Sequence, residues 1–170
     1  VEQPGNRIML AGAGNIGLRL AQALEKSHYQ VKLIESNRAR AYQAAALLGE
    51  SIVLHGNAAD EELMTQENIE NTEAFCSITN EDEANILSAM LAKRLGARRT
   101  MALVNRSAYV DLVETRMLDI AISPKISTVG ILLTHIRRAD TVAVHSLRRG
   151  AAEVIEIIAH GEPSSSRVVG

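Results

Sequence analysis

Three glycines fall at positions 12, 14 and 17 of the run Gly12-Ala13-Gly14-Asn15-Ile16-Gly17. Each has a distinct use if the run joins a strand to a helix. Gly12 permits a tight turn. Gly14 removes a side chain where a pyrophosphate would approach the backbone. Gly17 lets the helix pack close to the sheet. The N–H groups of Asn15, Ile16 and Gly17 would then face the phosphates at the positive end of the helix dipole. A carboxylate about 20 residues further on completes the pattern, and Glu35 occupies that place. It can accept hydrogen bonds from both hydroxyls of an adenosine ribose. It would also repel a 2′-phosphate, which favours NAD(H) over NADP(H). Arg38, just beyond, offers a phosphate contact.

Other polar residues follow the ends of later strands. Asn57 and Asp60 are placed to bracket an adenine. Thr79 and Asn80 stand above the expected switch point of the sheet. Asn105 and Arg106 come after the fifth strand, with Arg106 able to pair with a phosphate. Helix caps and loop polar groups use the same residue types, so each keeps that plainer reading as well. The acidic run Glu81-Asp82-Glu83 is expected to complement a helix N-terminus.

Catalytic patterns are missing from the sequence. There is no HExxH, no CxxC and no nucleophile motif, and the histidines lack metal-ligand spacing. Cys76, the only cysteine, falls inside a predicted strand and reads as an inert core thiol in a reducing compartment. The net charge of −2 and an aromatic content of 2% leave no basic patch and no stacking platform, so nucleic acid is not an expected partner. No apolar run reaches the ~18 residues of a membrane helix.

The elements that would position these groups follow from periodicity. Apolar runs at 7–12, 51–55 and 100–104 predict strands, as do 30–35, 74–79 and 118–122. Helical patterns lie between them at 16–26, 38–48, 60–67, 81–95 and 107–114. Six strands alternating with helices predict a Rossmann-like, doubly wound parallel sheet of order 3-2-1-4-5-6, with its crevice above strands one and four. With 46% hydrophobic residues but few rings, the core must be aliphatic and alanine-rich. Residues 1–124 are read as this nucleotide-binding domain. Residues 125–150 carry a crossover helix at 126–138 and a strand at 141–147. Residues 151–170, with a strand at 153–159, are read as the start of a truncated C-terminal subdomain. The helix has more apolar positions than one face can bury, which makes it the expected pairing element of a homo-oligomer, a dimer or higher.

Gly-Ala-Gly-Asn-Ile-Gly at 12–17, Leu-Ile-Glu at 33–35, His-Gly-Asn-Ala-Ala-Asp at 55–60, Ile-Thr-Asn-Glu-Asp-Glu-Ala-Asn at 78–85 and Ile-Ser-Pro at 122–124 together resemble the RCK (KTN) domain family. The resemblance covers nearly the whole chain. It implies binding of NAD(H), or of ATP/ADP, with Glu35 as the ribose acid. It also implies assembly into dimers and rings, a cytoplasmic place, and docking on the inner face of a membrane potassium transporter of the Trk type. The family often has Gly-Asp after strand three, where this chain has Gly56-Asn57, so Asp60 is the better adenine-side candidate. Some members carry two such domains in tandem. Ser146-Leu147-Arg148-Arg149-Gly150 and the absence of an initiating Met resemble the second half of such a tandem. The leading expectation is a nucleotide-sensing regulatory module rather than an enzyme. A truncated NAD-dependent oxidoreductase is the alternative, and a scaffold with a dead nucleotide site is a third reading.

Overall fold

Strand β1 (Arg7–Ala11) is apolar on both sides because it has a layer of helices above and below it. Ile8 and Leu10 face one layer; Met9 and Ala11 face the other. The structure, a computed structural model, describes residues 6–106, 108, 109, 113, 118–124, 141–147 and 152–157. Among the described residues the first unit continues with α1 (Asn15–Lys26), β2 (Gln30–Glu35), α2 (Arg38–Leu47), β3 (Ile52–His55), α3 (Glu61–Gln66), β4 (Ala74–Ser77), α4 (Asp82–Arg94), β5 (Thr100–Leu103) and β6 (Ile120–Ile122), with a short 3-10 turn at Ile69–Asn71 before β4.

The six strands form one sheet of order β3-β2-β1-β4-β5-β6, and every neighbouring pair is parallel. This is the expected doubly wound topology. The chain leaves β1 toward β2 on one side and returns to β4 on the other, so a crevice opens between the carboxyl ends of β1 and β4.

Each sheet face has its own core. Met9, Ile34, Phe75, Ala102 and Val104 pack with Met64, Ile69, Ala89 and Ala92. Ile8, Leu10, Val31, Leu33, Ala74 and Cys76 pack with Ala21 and Ala44. Alanines at the helix–sheet contacts let the backbones approach closely. The predicted aliphatic, alanine-rich interior is therefore present, with Phe75 as the one fully buried ring among the described residues.

The chain divides into two compact units, Val1–Ser123 and Pro124–Gly170. In the second unit β7 (Thr141–Leu147) and β8 (Ala152–Ile157) pair antiparallel. The sequence boundary at residue 150 therefore falls between the two strands of one hairpin. The predicted helix at 126–138 lies outside the described residues, as does most of the one at 107–114.

Candidate functional site

The glycine turn closes the carboxyl end of β1. Gly12 sits at φ +107°, a region that disfavours side chains. A Cβ there would come 3.0 Å from the Ile78 carbonyl oxygen and 3.1 Å from Thr79 Cγ2, so the turn lies directly against the end of β4. A Cβ on Gly17 would stand 1.9 Å from the Gly12 carbonyl oxygen. Gly14 is the opposite case, for a Cβ there meets nothing within 4 Å. Gly12 and Gly17 are buried, whereas Gly14, Asn15 and Ile16 are exposed. Gly14 is also the N-cap of α1, with no side-chain cap and no acidic residue in the first turn. A cradle kept clear of side chains thus lies in front of a helix N-terminus that carries no anion of its own. That geometry fits a phosphate.

Glu35 ends β2 beside this turn and is only 4% exposed. Its Oε2 accepts the Ala13 N–H at 2.8 Å. Its Oε1 accepts the Asn37 N–H at 2.7 Å and a hydrogen bond from Arg40 Nη2 at 3.2 Å. Burial pushes this carboxyl up, but the N–H groups of Asn37 and Ala13 and the charge of Arg40 outweigh it. The group is held below the usual glutamate range and is ionised at neutral pH. Arg38, offered for a phosphate contact, holds its guanidinium over the Tyr42 ring, 5.7 Å from its centroid, and Arg40 is the cation at the carboxylate. Residues i and i+2 point to different sides of a helix, which separates the two arginines.

The pair after β3 is committed locally. Asn57 Oδ1 accepts the Ala59 N–H at 2.9 Å. Asp60 is the N-cap of α3, with Oδ1 accepting from Glu62 N at 2.9 Å and Leu63 N at 3.3 Å. Both side chains are exposed, and these hydrogen bonds are those of the plainer reading, a turn and a helix cap.

Across the crevice, two residues not chosen as site residues hold the wall together. Asn85 is fully buried in α4. Its Oδ1 accepts the Thr79 N–H at 2.9 Å and the Thr79 hydroxyl at 2.7 Å, and its Nδ2 donates to the Thr79 and Leu103 carbonyls at 3.0 and 2.9 Å. It ties the end of β4 to the end of β5. Asp82 does the same for the following loop. Its Oδ1 accepts the Asn105 N–H and Asn105 Nδ2, and its Oδ2 accepts the Arg106 N–H at 2.8 Å. Burial raises the Asp82 carboxyl, and the Asn105 and Arg106 N–H groups outweigh it and keep it low.

Asp82 therefore does more than offset the dipole of α4. The signal available in the sequence was an asparagine and an aspartate in helix positions that a surface does not require. Arg106 Nη1 reaches Glu83 Oε1 and the Tyr109 hydroxyl, both at 3.0 Å, on the exposed side of this wall. Asn80 is exposed at the end of the β4 loop. The turn, Glu35, Thr79, Asn80, Asn105 and Arg106 all lie at the carboxyl edge of the sheet; Asn57 and Asp60 lie at the same edge, beyond β2.

Comparison with known proteins places this geometry in a family. The TrkA-N domain model matches residues 8–124. The chain is 55% identical over 170 residues to the Trk system potassium uptake protein TrkA of Halomonas elongata, covering 100% of this chain and 37% of that protein. Two solved structures share the fold. The TrkA-N domain of inner membrane protein ybaL from Escherichia coli superposes with a TM-score of 0.70 at 19% identity, covering 80% of this chain and 99% of that one. The GsuK channel bound to NAD superposes with 0.68 at 16%, covering 86% and 26%. The match covers 37% of the Halomonas protein and does not by itself confirm a second-half origin. The chain belongs to the TrkA-N domain family.

Proposed function

We propose that this chain is the nucleotide-sensing part of a regulator of potassium uptake, and that it binds NAD(H), or ATP/ADP, in the crevice between β1 and β4. The observation that carries the reading is the uncapped start of α1 at Gly14, open to solvent, with the ionised Glu35 beside it. In this reading the N–H groups of Asn15, Ile16 and Gly17 take the phosphates, and Gly12 and Gly17 hold the turn in shape. Glu35 takes the ribose hydroxyls. Thr79, Asn80, Asn105 and Arg106 line the opposite wall. Asn57 and Asp60 shape the loop on the adenine side, and Arg38 stands at its outer edge.

The relative's name supports a role in potassium transport, and the NAD in the GsuK title supports the ligand class. The chain spans 37% of the length of that curated relative, so the partners are proposed for the whole protein. They are a Trk-type membrane transporter and further copies of the same subunit. The place is the cytoplasmic face of the membrane. Among the described residues no helix is long and apolar enough to cross a membrane, which fits attachment through a partner. The helix at 126–138 remains the proposed pairing element.

The role is sensing rather than catalysis. A ligand that binds two arrangements of paired domains unequally shifts their populations. Calorimetric titration with NADH, NAD+, ATP and ADP, followed by an absorbance trace of bound NADH over hours, tests both halves. Saturable binding with NADH left unconsumed is the expected result. Silence with all four nucleotides would remove the sensing role, and steady NADH oxidation would make the protein an oxidoreductase.

A further inference from the structure

Glu35 has about four lone-pair positions in its carboxylate plane, and three donors already occupy them: Ala13 N, Asn37 N and Arg40 Nη2. A ribose diol brings two more donors, so one of the three must yield for both hydroxyls to be accepted. The two backbone donors are fixed, one in the glycine turn and the other at the N-cap of α2. Arg40 is different. Its side chain is 52% exposed and its contact, at 3.2 Å, is the longest of the three.

Apart from Glu35, the segment that carries Arg40 is free of acidic residues. Residues 36–49 contain no Asp or Glu, and α2 has no acidic residue in its first turn. Arg38 adds a second cation on the same turn of helix, held over Tyr42. Hence the acid that should reject a 2′-phosphate is partly neutralised by an exposed guanidinium able to receive one.

We propose that Arg40 is a specificity-determining residue of the adenosine end: it competes with the ribose hydroxyls for Glu35 and, when displaced, pairs with a phosphate on the ribose, so that the site admits 2′-phosphorylated adenine dinucleotides beside the plain ones. The inference rests on the nucleotide reading above. It gives Arg40 opposite effects on two ligands that differ by one phosphate, which a merely structural residue would not have.

The test is calorimetry with NADH and NADPH on the intact protein, comparing wild type with Arg40→Ala and Arg40→Lys. Thermal melts establish that the variants are folded. Arg40→Ala is expected to tighten NADH and weaken NADPH, widening the ratio of their dissociation constants about tenfold. Arg40→Lys keeps a cation in reach and stays near the wild-type ratio. An unchanged ratio in a folded Arg40→Ala that still binds NADH overturns the inference and leaves the nucleotide site standing. Parallel weakening of both ligands overturns it as well. Wild-type protein that binds neither dinucleotide overturns the nucleotide reading and this inference with it.

Discussion

Two helices begin at the same edge of the sheet and treat their first N–H groups in opposite ways. At α3, Asp60 caps Glu62 N and Leu63 N, and Glu61 and Glu62 follow in the first turn. That end is supplied with negative charge and closed. At α1, the cap is Gly14, no side chain bonds to the first turn, and no acid is present there. A helix N-terminus is electrically incomplete in either case. The chain completes one internally and leaves the other open, where we propose the phosphates of a ligand bind. What marks the proposed site is thus the missing cap rather than the helix itself.

The comparison breaks most severely at Gly17. An alanine there drives its Cβ into the Gly12 carbonyl oxygen, so the turn and helix must separate. Gly17→Ala should cost about 3 kcal/mol of stability, as overpacking at a rigid backbone contact does. Urea unfolding with an unchanged midpoint would show that the turn is softer than its geometry.

Next comes Gly14→Asp, which makes α1 resemble α3. The position has φ −73° and open space around its Cβ, so the residue is accommodated without strain and caps the helix. Nucleotide affinity should fall about a hundredfold, because a fixed carboxylate replaces the phosphate at the dipole end, while the melting temperature holds or rises. Retention of wild-type affinity by the folded variant would move the phosphate site elsewhere.

Asp60→Ala makes the reverse change. Loss of the cap should cost about 1 kcal/mol in stability. Nucleotide affinity is expected to stay unchanged if Asp60 serves α3 alone, and a marked loss would return it to the adenine pocket.

The smallest effect is at the far end of α1. Glu25 accepts hydrogen bonds from Ser51 Oγ, Ser51 N and Glu50 N at 2.6, 2.6 and 2.9 Å. The Ser51 hydroxyl, with the loop N–H groups, outweighs burial and lowers its carboxyl to about 2. A depressed carboxylate contributes stability that is present above its unfolded value near 4.5 and lost as pH falls toward 2. Melting temperature should therefore decline across that window, and less steeply in Glu25→Gln. Identical slopes in the two proteins would show that the loop is held by other contacts.

The sheet was readable in the sequence because short apolar runs and glycine punctuation are local signals. Strand order followed from the βαβ alternation. The three glycine roles were readable for the same reason, each being set by the turn that contains it. The partners of Glu35 were not. Its type and position could be predicted, but not that Ala13, 22 residues away, would donate to it. Asp82 and Asn85 escaped in the same way. They act on the ends of strands 18 to 24 residues downstream, through backbone groups that every residue type presents. Arg40 escaped too, because its contact with Glu35 depends on the side of the helix it occupies. The sixth strand was drawn too long at its start, because Leu118 is buried as part of the core without joining the ladder.

Cys76 gives the molecule a built-in clock. It is the only cysteine, lies in β4 at the centre of the sheet, and burial raises its thiol to about 11. In the folded protein an alkylating reagent meets little exposed sulfur and little thiolate. Each modification event therefore counts an excursion in which the middle of the sheet has come apart. Labelling at increasing reagent concentration would pass from a rate set by the equilibrium of opening to one set by opening itself. A bound nucleotide spanning β1 and β4 should slow that clock in proportion to its occupancy.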